Sequence, residues 1–317
     1  MVQAVVRGPR VDPVIVQRYP AAPSSMPVVV TFAIDSAGRP HAIGRARDAY
    51  GDGSQDIVPA LAAARFASGA ARTGCEIRFT ATQATIEEAP AQMVVAATIF
   101  PEVRPPRAAY ARGFAPDTDC MTPPPEVRLR AYPDFKAIPQ EPGTSDWTLV
   151  GYDIGASGKP SAIGVRYSSG NAALDRAAVT AVGRSRFEPG KRRGCAYPYW
   201  RRGAALAAPV SPEALKVRPA GSTCPIETGW ATKPVLRYPT AFSRRRIEGW
   251  AVVAFDVAPW GQTGNVRVIA AEPAAAFGDA AMQVIRQATQ PPSQGYVGCI
   301  ERVRYVMPNR EGEPETE

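Results

Sequence analysis

The fold is decided by the stretch Trp250-Ala251-Val252-Val253-Ala254-Phe255-Asp256-Val257-Ala258-Pro259-Trp260-Gly261. Apolar residues recur in it at alternating positions, and a glycine closes a short turn. This pattern is typical of a half-buried β-strand that enters a hairpin. Two earlier stretches repeat it, Trp147 to Gly158 and Val28 to Gly38. We therefore predict that one hairpin-forming unit is written three times in this chain.

Each copy continues with the same series of elements. Second strands are predicted at 41–45, 161–167 and 265–270. Helices follow, opened by aspartates that can cap free N–H groups, at Asp56, Asp175 and Asp279. The copies end on closing strands, at Cys75 to Thr80, Cys195 to Arg201 and Cys299 to Met307. Strands without regular crossover helices between them predict the α+β class rather than a doubly wound sheet.

The repeat divides the 317 residues into three modules of ordinary domain size. We define module 1 as residues 1–115, module 2 as residues 116–220 and module 3 as residues 221–317, each with its linker or tail. The proline-rich linkers Glu102 to Pro125 and Ala207 to Pro219 predict semi-rigid spacers. The apolar run Met93 to Phe100 is too short for a membrane helix and predicts a strand. The charged tail from Pro308 to Glu317 predicts disorder.

The cysteines follow the repeat. Cys120 and Cys195 are 75 residues apart, and so are Cys224 and Cys299. Equal spacing predicts two disulfides, which persist in oxidising compartments, although buried free thiols are the alternative. The corresponding partner of Cys75 would lie one residue before Met1. We therefore expect Cys75 to be unpaired and the native protein to begin further upstream.

The chain is basic, with 37 Lys and Arg against 29 Asp and Glu and a net charge of +8. Clusters lie at 191–193, 201–202 and 244–246. The charge is explained by a solvated, arginine-rich surface or by attraction to an anionic surface or peptide segment. Nucleic acid is not expected as a partner, because aromatic residues do not interleave with the basic ones in a known RNA-binding pattern.

Candidate catalytic residues are few, and none forms a convincing constellation. His41 is the only histidine of the chain. A pairing with Cys75 as nucleophile is disfavoured, because the repeat explains this cysteine as a disulfide position. Glu87 and Glu88 are adjacent acids that are typical of a solvated turn. We predict no catalytic residue, no cofactor and no metal site, and hence a protein that is not an enzyme.

Short motifs in all three modules resemble the C-terminal domain of TonB. Module 3 contains Tyr238-Pro239 and then the segment from Arg244 to Val257. Tyr-Pro pairs also occur in the other modules, at Tyr132-Pro133 and Tyr19-Pro20. The family's post-helix signature resembles Arg186 to Gly190 in module 2 and Arg65-Phe66 in module 1, whereas module 3 has Ala288-Thr289 at that place. The Tyr-Pro pairs are explained either by packing or by contact with a partner.

The resemblance implies for each module a small antiparallel three-stranded sheet with one or two helices on one face. It also implies a periplasmic protein that binds a segment of an outer-membrane receptor by adding it as a strand to an exposed sheet edge, with a role in energy transduction for transport. The closing strands are then the binding edges, with Tyr197, Tyr199, Arg201, Val303 and Tyr305 as candidate contact residues. An anchoring segment upstream of Met1 and formation of homo-oligomers stay open. The alternative is a structural or scaffold protein whose modules pair with each other or with identical chains.

Overall fold

The computed structural model describes residues 28–45, 56–80, 84–101, 104–213, 217–225 and 229–308. Tyr19, Pro20 and nearly all of the tail lie outside the described residues. Contacts group residues 28–80 with those from 205 onward, and they group residues 84–204 separately. We call these unit 1 and unit 2. The division into three modules with boundaries at 115 and 220 stays a prediction.

Three sheets of three antiparallel strands make up most of the structure, which confirms the α+β class. Their strands are β1 (Val28–Ile34), β2 (Pro40–Arg45) and β3 (Arg72–Phe79); β5 (Asp146–Ile154), β6 (Pro160–Ser168) and β8 (Arg192–Arg201); and β9 (Gly249–Val257), β10 (Thr263–Glu272) and β11 (Tyr296–Tyr305). A short pair is formed by β4 (Val127–Leu129) and β7 (Arg186–Phe187). The helices are α1 (Ile57–Ala63), α2 (Ala91–Ile99), α3 (Arg107–Ala111), α4 (Ala172–Arg184), α5 (Thr240–Arg244) and α6 (Ala275–Gln287). In each of the three-stranded sheets the first strand is central and the closing strand is at one side.

The hairpin glycines have the same packing role in all three modules. Each has a positive φ, and a Cβ there would lie about 2 Å from the carbonyl oxygen of a residue that follows the helix. These contacts join Gly38 to Phe66, Gly158 to Phe187, and Gly261 to Gln290. The post-helix position of module 3 is therefore Thr289-Gln290. Our assignment of Ala288-Thr289 was wrong by one residue.

Two of the three predicted helix starts are also wrong. Helix α1 does begin directly after Asp56. Helix α4 begins at Ala172, because the side chain of Asn171 accepts hydrogen bonds from the N–H groups of Ala173 and Leu174, both at 3.1 Å. Helix α6 begins at Ala275 with no side-chain cap, so Asp279 lies inside it.

In unit 2, helices lie against both faces of the β5–β6–β8 sheet. Helix α4 packs on the face that carries Val150, Tyr152 and Tyr199. The opposite face carries Trp147 and Leu149, and it packs against Val95 and Ile99 of α2. The predicted strand at Met93 to Phe100 is therefore wrong. Part of the predicted spacer that follows is α3, which contacts α2.

In unit 1, the first and third modules share one hydrophobic core. Ile43, Leu61 and other residues of module 1 pack in the same cluster as Phe277 and Tyr305 of module 3. The backbone N–H of Ile43 donates to the carbonyl of Pro273 at 2.9 Å. Asp56, at the start of α1, accepts two hydrogen bonds from the Arg245 guanidinium. A shared core, a backbone hydrogen bond and an ion pair therefore connect module 1 to module 3, and the two form a single packed body.

Candidate functional site

The closing strands β8 and β11 each pair with one strand only among the described residues. Their outer sides are thus edges of the kind that can accept a further strand, because unpaired N–H and C=O groups line them. Strand β3 of module 1 has the same position in its sheet. We examine these edges as the candidate functional site.

The first residues of β8 and β11 are already covered by the segment that precedes each module. On β8, Asp119 N–H donates to the Arg193 carbonyl at 3.2 Å, and Arg193 N–H donates to the Asp119 carboxylate at 2.8 Å. On β11, Thr223 N–H donates to the Val297 carbonyl at 3.0 Å, and Val297 N–H donates to the Thr223 hydroxyl at 3.0 Å. The preceding segment therefore occupies one end of each edge.

The two predicted disulfides fix these preceding segments in place and are confirmed. They join Cys120 to Cys195 and Cys224 to Cys299. Both bridges are buried, and each ties the covering segment to the closing strand beside it. Each closing strand begins three residues before its cysteine rather than at it. Cys75 is free and half-buried.

A glycine with positive φ marks the point where the covered part of each edge ends. The N–H of Gly194 donates to the Asp153 carboxylate at 2.8 Å, and that of Gly298 donates to Asp256 at 2.8 Å. In module 3 a hydrogen bond from Asn265, followed by the one from Gly298, holds the pKa of Asp256 below its usual value. Register shifts accompany both glycines, as in a β-bulge.

Beyond the bulge, alternate residues direct their backbone groups to the open side. Pro198 fixes which residues these are in β8, because a proline has no N–H and is tolerated in a strand where its nitrogen faces away from the neighbour. The outward set of β8 is therefore Ala196, Pro198 and Trp200. The register pairs Pro198 with Leu149 and Arg302 with Val252, which are equivalent positions. The outward set of β11 is accordingly Ile300, Arg302 and Arg304.

The predicted contact residues lie at the intervening positions, and their side chains serve the modules themselves. Tyr199 and Tyr305 are buried in the cores, and burial raises the pKa of Tyr305 to about 12. Arg201 donates to the Asp146 carboxylate at 2.8 Å and to two carbonyls of the 135–138 segment. Val303 packs against the buried residues of unit 1. Their role in partner binding stays a prediction.

Tyr197, the remaining predicted contact residue, belongs to an aromatic cluster at the surface of module 2. The Arg130 guanidinium lies over the Tyr197 ring at 3.6 Å from its centre. Burial, and after it a hydrogen bond with Tyr132, raises the pKa of Tyr197. Tyr132, of the first Tyr-Pro pair in module 2, is 63% exposed and contacts the Tyr199 ring edge-on. Contact of Tyr132 with a partner stays a prediction.

The corresponding pair in module 3 is used for packing. The Tyr238 hydroxyl donates to the Ile247 carbonyl at 2.7 Å. Its ring packs edge-on against Phe277 and Tyr305, and burial is the main cause that raises its pKa. Packing thus explains the Tyr-Pro pair of module 3, whereas partner contact by a Tyr-Pro pair stays a prediction.

The residues considered for catalysis do not meet in a site. His41 Nδ1 lies 3.3 Å from the Glu272 carboxylate, where module 1 contacts module 3. Glu88 accepts hydrogen bonds from Thr85 in a surface turn. Within the described ranges, no group of three or more His, Cys, Asp and Glu could hold a metal ion. Likewise, none of the helices in the described part of the chain has the length and apolarity to cross a membrane.

The residues of β11 whose backbone groups face the open side, Ile300, Arg302 and Arg304, were not among the contact residues predicted from the sequence. The sequence did contain a usable signal. Pro198 stands inside a predicted strand, and a proline there marks an edge strand and the direction of its nitrogen. Because Arg302 lies three residues after Cys299, as Pro198 does after Cys195, the repeat identifies Arg302 as the equivalent position of module 3.

The geometry defines a class of protein: tandem antiparallel α+β domains whose closing strands have one end covered and the rest of the edge open. The family model for the Gram-negative bacterial TonB protein C-terminal matches residues 133–202 and 234–307. Both segments are similar to this family, which confirms the resemblance for modules 2 and 3. Whether module 1 is a third such domain stays a prediction.

A relative of known sequence supports the same assignment. The protein tonB2 of Pseudomonas aeruginosa is 43% identical to this chain over 68 residues. The match covers 22% of this chain and 25% of that protein. Its similarity therefore concerns one domain and not the whole of either protein.

Proposed function

We propose that this chain is a non-enzymatic periplasmic protein that binds a segment of an outer-membrane receptor by strand addition and serves energy transduction for transport. The observation that carries the proposal is the edge of β11 from Ile300 to Arg304. None of the described residues hydrogen-bonds to the outward backbone groups of this part of the strand. Such an edge is a template for an extended peptide.

The family match and the covalent structure support the rest of the proposal. The two matched segments are similar to the TonB protein C-terminal, and this resemblance supports action on a receptor rather than on a chemical substrate. Two disulfides fit an oxidising compartment such as the periplasm. The basic charge of +8 favours encounter with acidic segments.

Photo-crosslinking tests the proposal directly. A photoreactive amino acid replaces Arg304 at the open edge, and in a matched control it replaces Arg267, which is exposed on β10 at the opposite side of the same sheet. We expect crosslinks from position 304, and not from position 267, to an outer-membrane receptor in outer-membrane extract. Mass spectrometry identifies the crosslinked peptide. Equal labelling from both positions, or no receptor peptide from position 304, would contradict strand addition at this edge.

A scaffold role is the second candidate, and one observation favours it. The edge of β2 is already joined to module 3 through Ile43 and Pro273, so module-to-module pairing exists within unit 1. In this role the open edges of β8 and β11 would pair with identical chains. Crosslinks from position 304 to a second copy, together with a concentration-dependent dimer in sedimentation, would favour the scaffold over the receptor-binding protein.

A further inference from the structure

The three closing strands differ at the positions that face an incoming strand. Counted from the cysteine, the third and fifth residues are Arg78 and Thr80 in module 1, Pro198 and Trp200 in module 2, and Arg302 and Arg304 in module 3. The sheets are otherwise built in the same order. The ability to accept a strand therefore differs between modules that share a fold.

Module 2 has an interrupted edge. Pro198 cannot donate a hydrogen bond to an added strand, and its ring fills the space where the donor would be. Two residues on, Trp200 packs edge-on against Phe100, which follows α2. Natural sheets use proline in this way to prevent pairing at an edge. The β8 edge thus carries a device against strand addition.

Module 3 has a complete edge that also carries charge. Arg302 and Arg304 keep their N–H groups, and their side chains are exposed on the same face of the sheet because they are two residues apart. The Arg302 guanidinium donates a hydrogen bond to the Ser211 hydroxyl at 3.4 Å. Side chains of an added strand would lie about 5 Å from those of Arg302 and Arg304. At this distance carboxylates on the added strand would be attracted to the two arginines.

Module 1 keeps the backbone donor but not the charge. Arg78 stands at the position of Arg302, and it forms an ion pair with Glu76 at 2.8 Å on the same strand. This pair neutralises the cation that an acidic segment would meet. The Arg302–Arg304 pair in module 3 therefore distinguishes its edge from both others.

We propose that module 3 is the acceptor module, and that its partner is an extended segment with carboxylates at alternate positions, which lie beside Arg302 and Arg304. Module 2 does not accept a strand, because of Pro198. This inference rests on the proposed function and adds to it the choice of module and the chemistry of the partner.

Synthetic peptides test the partner chemistry on the full chain. The probes are short fluorescent peptides in which valine alternates with aspartate, asparagine or lysine. We expect the aspartate peptide to bind at least about tenfold more tightly than the asparagine peptide at low salt, and the difference to shrink as salt screens the charges. Arg302→Gln with Arg304→Gln keeps the backbone donors and should abolish this preference. Equal affinities for the aspartate and asparagine peptides would overturn the proposed partner chemistry.

Proline exchange tests the choice of module. Arg302→Pro should weaken binding of the aspartate peptide at least about tenfold, since it removes one donor and adds a ring at the edge. Pro198→Arg should open a second site and raise the stoichiometry from one peptide per chain to two. Hydrogen exchange should show peptide protection at the amides of Ile300, Arg302 and Arg304 and not at Ala196 or Trp200. Circular dichroism shows that the variants are folded, and Arg302→Gln gives an independent result if Arg302→Pro is not.

The outcomes separate this inference from the function on which it rests. Unchanged binding by Arg302→Pro, or protection of β8 in the unmodified chain, would overturn the choice of module 3 while receptor binding stood. If the unmodified chain binds none of the peptides and position 304 crosslinks to no receptor, the proposed function itself fails, and the inference with it.

Discussion

Modules 2 and 3 have the same strand order, the same glycine contact and the same cysteine spacing, yet they are completed by different parts of the chain. In module 2 the second face of the sheet is covered by α2, which precedes the module in sequence. In module 3 the Trp250 indole donates to the Pro209 carbonyl at 2.8 Å, and the core extends into module 1. The repeated unit is therefore not sufficient alone. A three-stranded sheet with one helix leaves apolar surface that neighbouring segments must cover.

The largest effect should come from removing one side chain at the centre of the shared core. Phe277 is fully buried against Phe242 and Tyr305. Phe277→Ala should destabilise unit 1 by about 3–5 kcal/mol. Since module 1 packs in the same cluster, amide exchange should accelerate in β1 as well as in β9. Denaturant titration and hydrogen exchange measure the two effects.

The matched change in module 2 is Leu174→Ala, at the equivalent position of α4. Leu174 is also fully buried, and its loss should cost about 2–5 kcal/mol. The accelerated exchange should stay within unit 2, from residues 84 to 204. If Phe277→Ala left β1 as protected as before, the shared core would not couple module 1 to module 3.

The disulfides give the second test of the comparison. Each closes a loop with a sequence separation of 75, so the chain-entropy model predicts a contribution of about 4 kcal/mol for each bridge. The double change Cys120→Ala with Cys195→Ala should weaken unit 2 alone, and Cys224→Ala with Cys299→Ala should weaken unit 1. Each pair should lower the melting temperature of its own unit. Melting that is unchanged in both variants would contradict a stabilising role.

Mass analysis is the control for this prediction. The unreduced chain should be lighter than the fully reduced chain by about 4 Da, two hydrogens for each bridge. A smaller difference would show that one bridge had not formed, and its alanine variant would then say nothing about the unit.

The central strands and the cysteine pairs could be predicted from the sequence because their signals are local and repeated. Alternation in Trp147–Ile154 and Trp250–Val257 predicts a strand wherever it occurs. The run Met93 to Phe100 could not be assigned in this way, because it is apolar at nearly every position and a buried helix and a strand then look alike. Its helical state depends on packing against Trp147 and Leu149, far along the chain.

The order of the strands in the repeat indicated which strands lie at the sheet edges, whereas the partner contacts stay a prediction. The resemblance selected β3, β8 and β11 as edges and placed the contacts at positions whose backbone groups face the neighbouring strand, namely Tyr197, Tyr199, Arg201, Val303 and Tyr305. A slip of one position turns every residue of a strand to the other face and every backbone group to the other side. The bulges at Gly194 and Gly298 cause such a shift, and spacing alone does not reveal them.

The smallest expected effect concerns the hairpin residue that has a positive φ in each module, namely Ala42, Ala162 and Asn265. Asparagine tolerates this conformation better than alanine does. In module 3 the Asn265 amide also donates to the Asp256 carboxylate at 2.6 Å. Ala162→Asn gives module 2 the residue of module 3, near the equivalent Asp153. It should stabilise unit 2 by up to about 1 kcal/mol in urea titration, and the reverse change Asn265→Ala should weaken unit 1 by a similar amount.

The pH dependence of the free energy of unfolding separates the two causes of this effect, the positive φ and the hydrogen bond to the Asp256 carboxylate. The pKa of Asp256 is lowered in the fold, so its contribution is fully present above its unfolded value of about 4 and is lost as the pH falls through the lower, folded value. Asp256 is only partly buried, so solvent screens this contribution and keeps it small. The cost of Asn265→Ala should therefore be constant at neutral pH and decrease on acidification below about pH 4, towards the part that backbone conformation alone imposes. A cost that is independent of pH would assign the whole difference between Ala162 and Asn265 to the positive φ and none to the carboxylate.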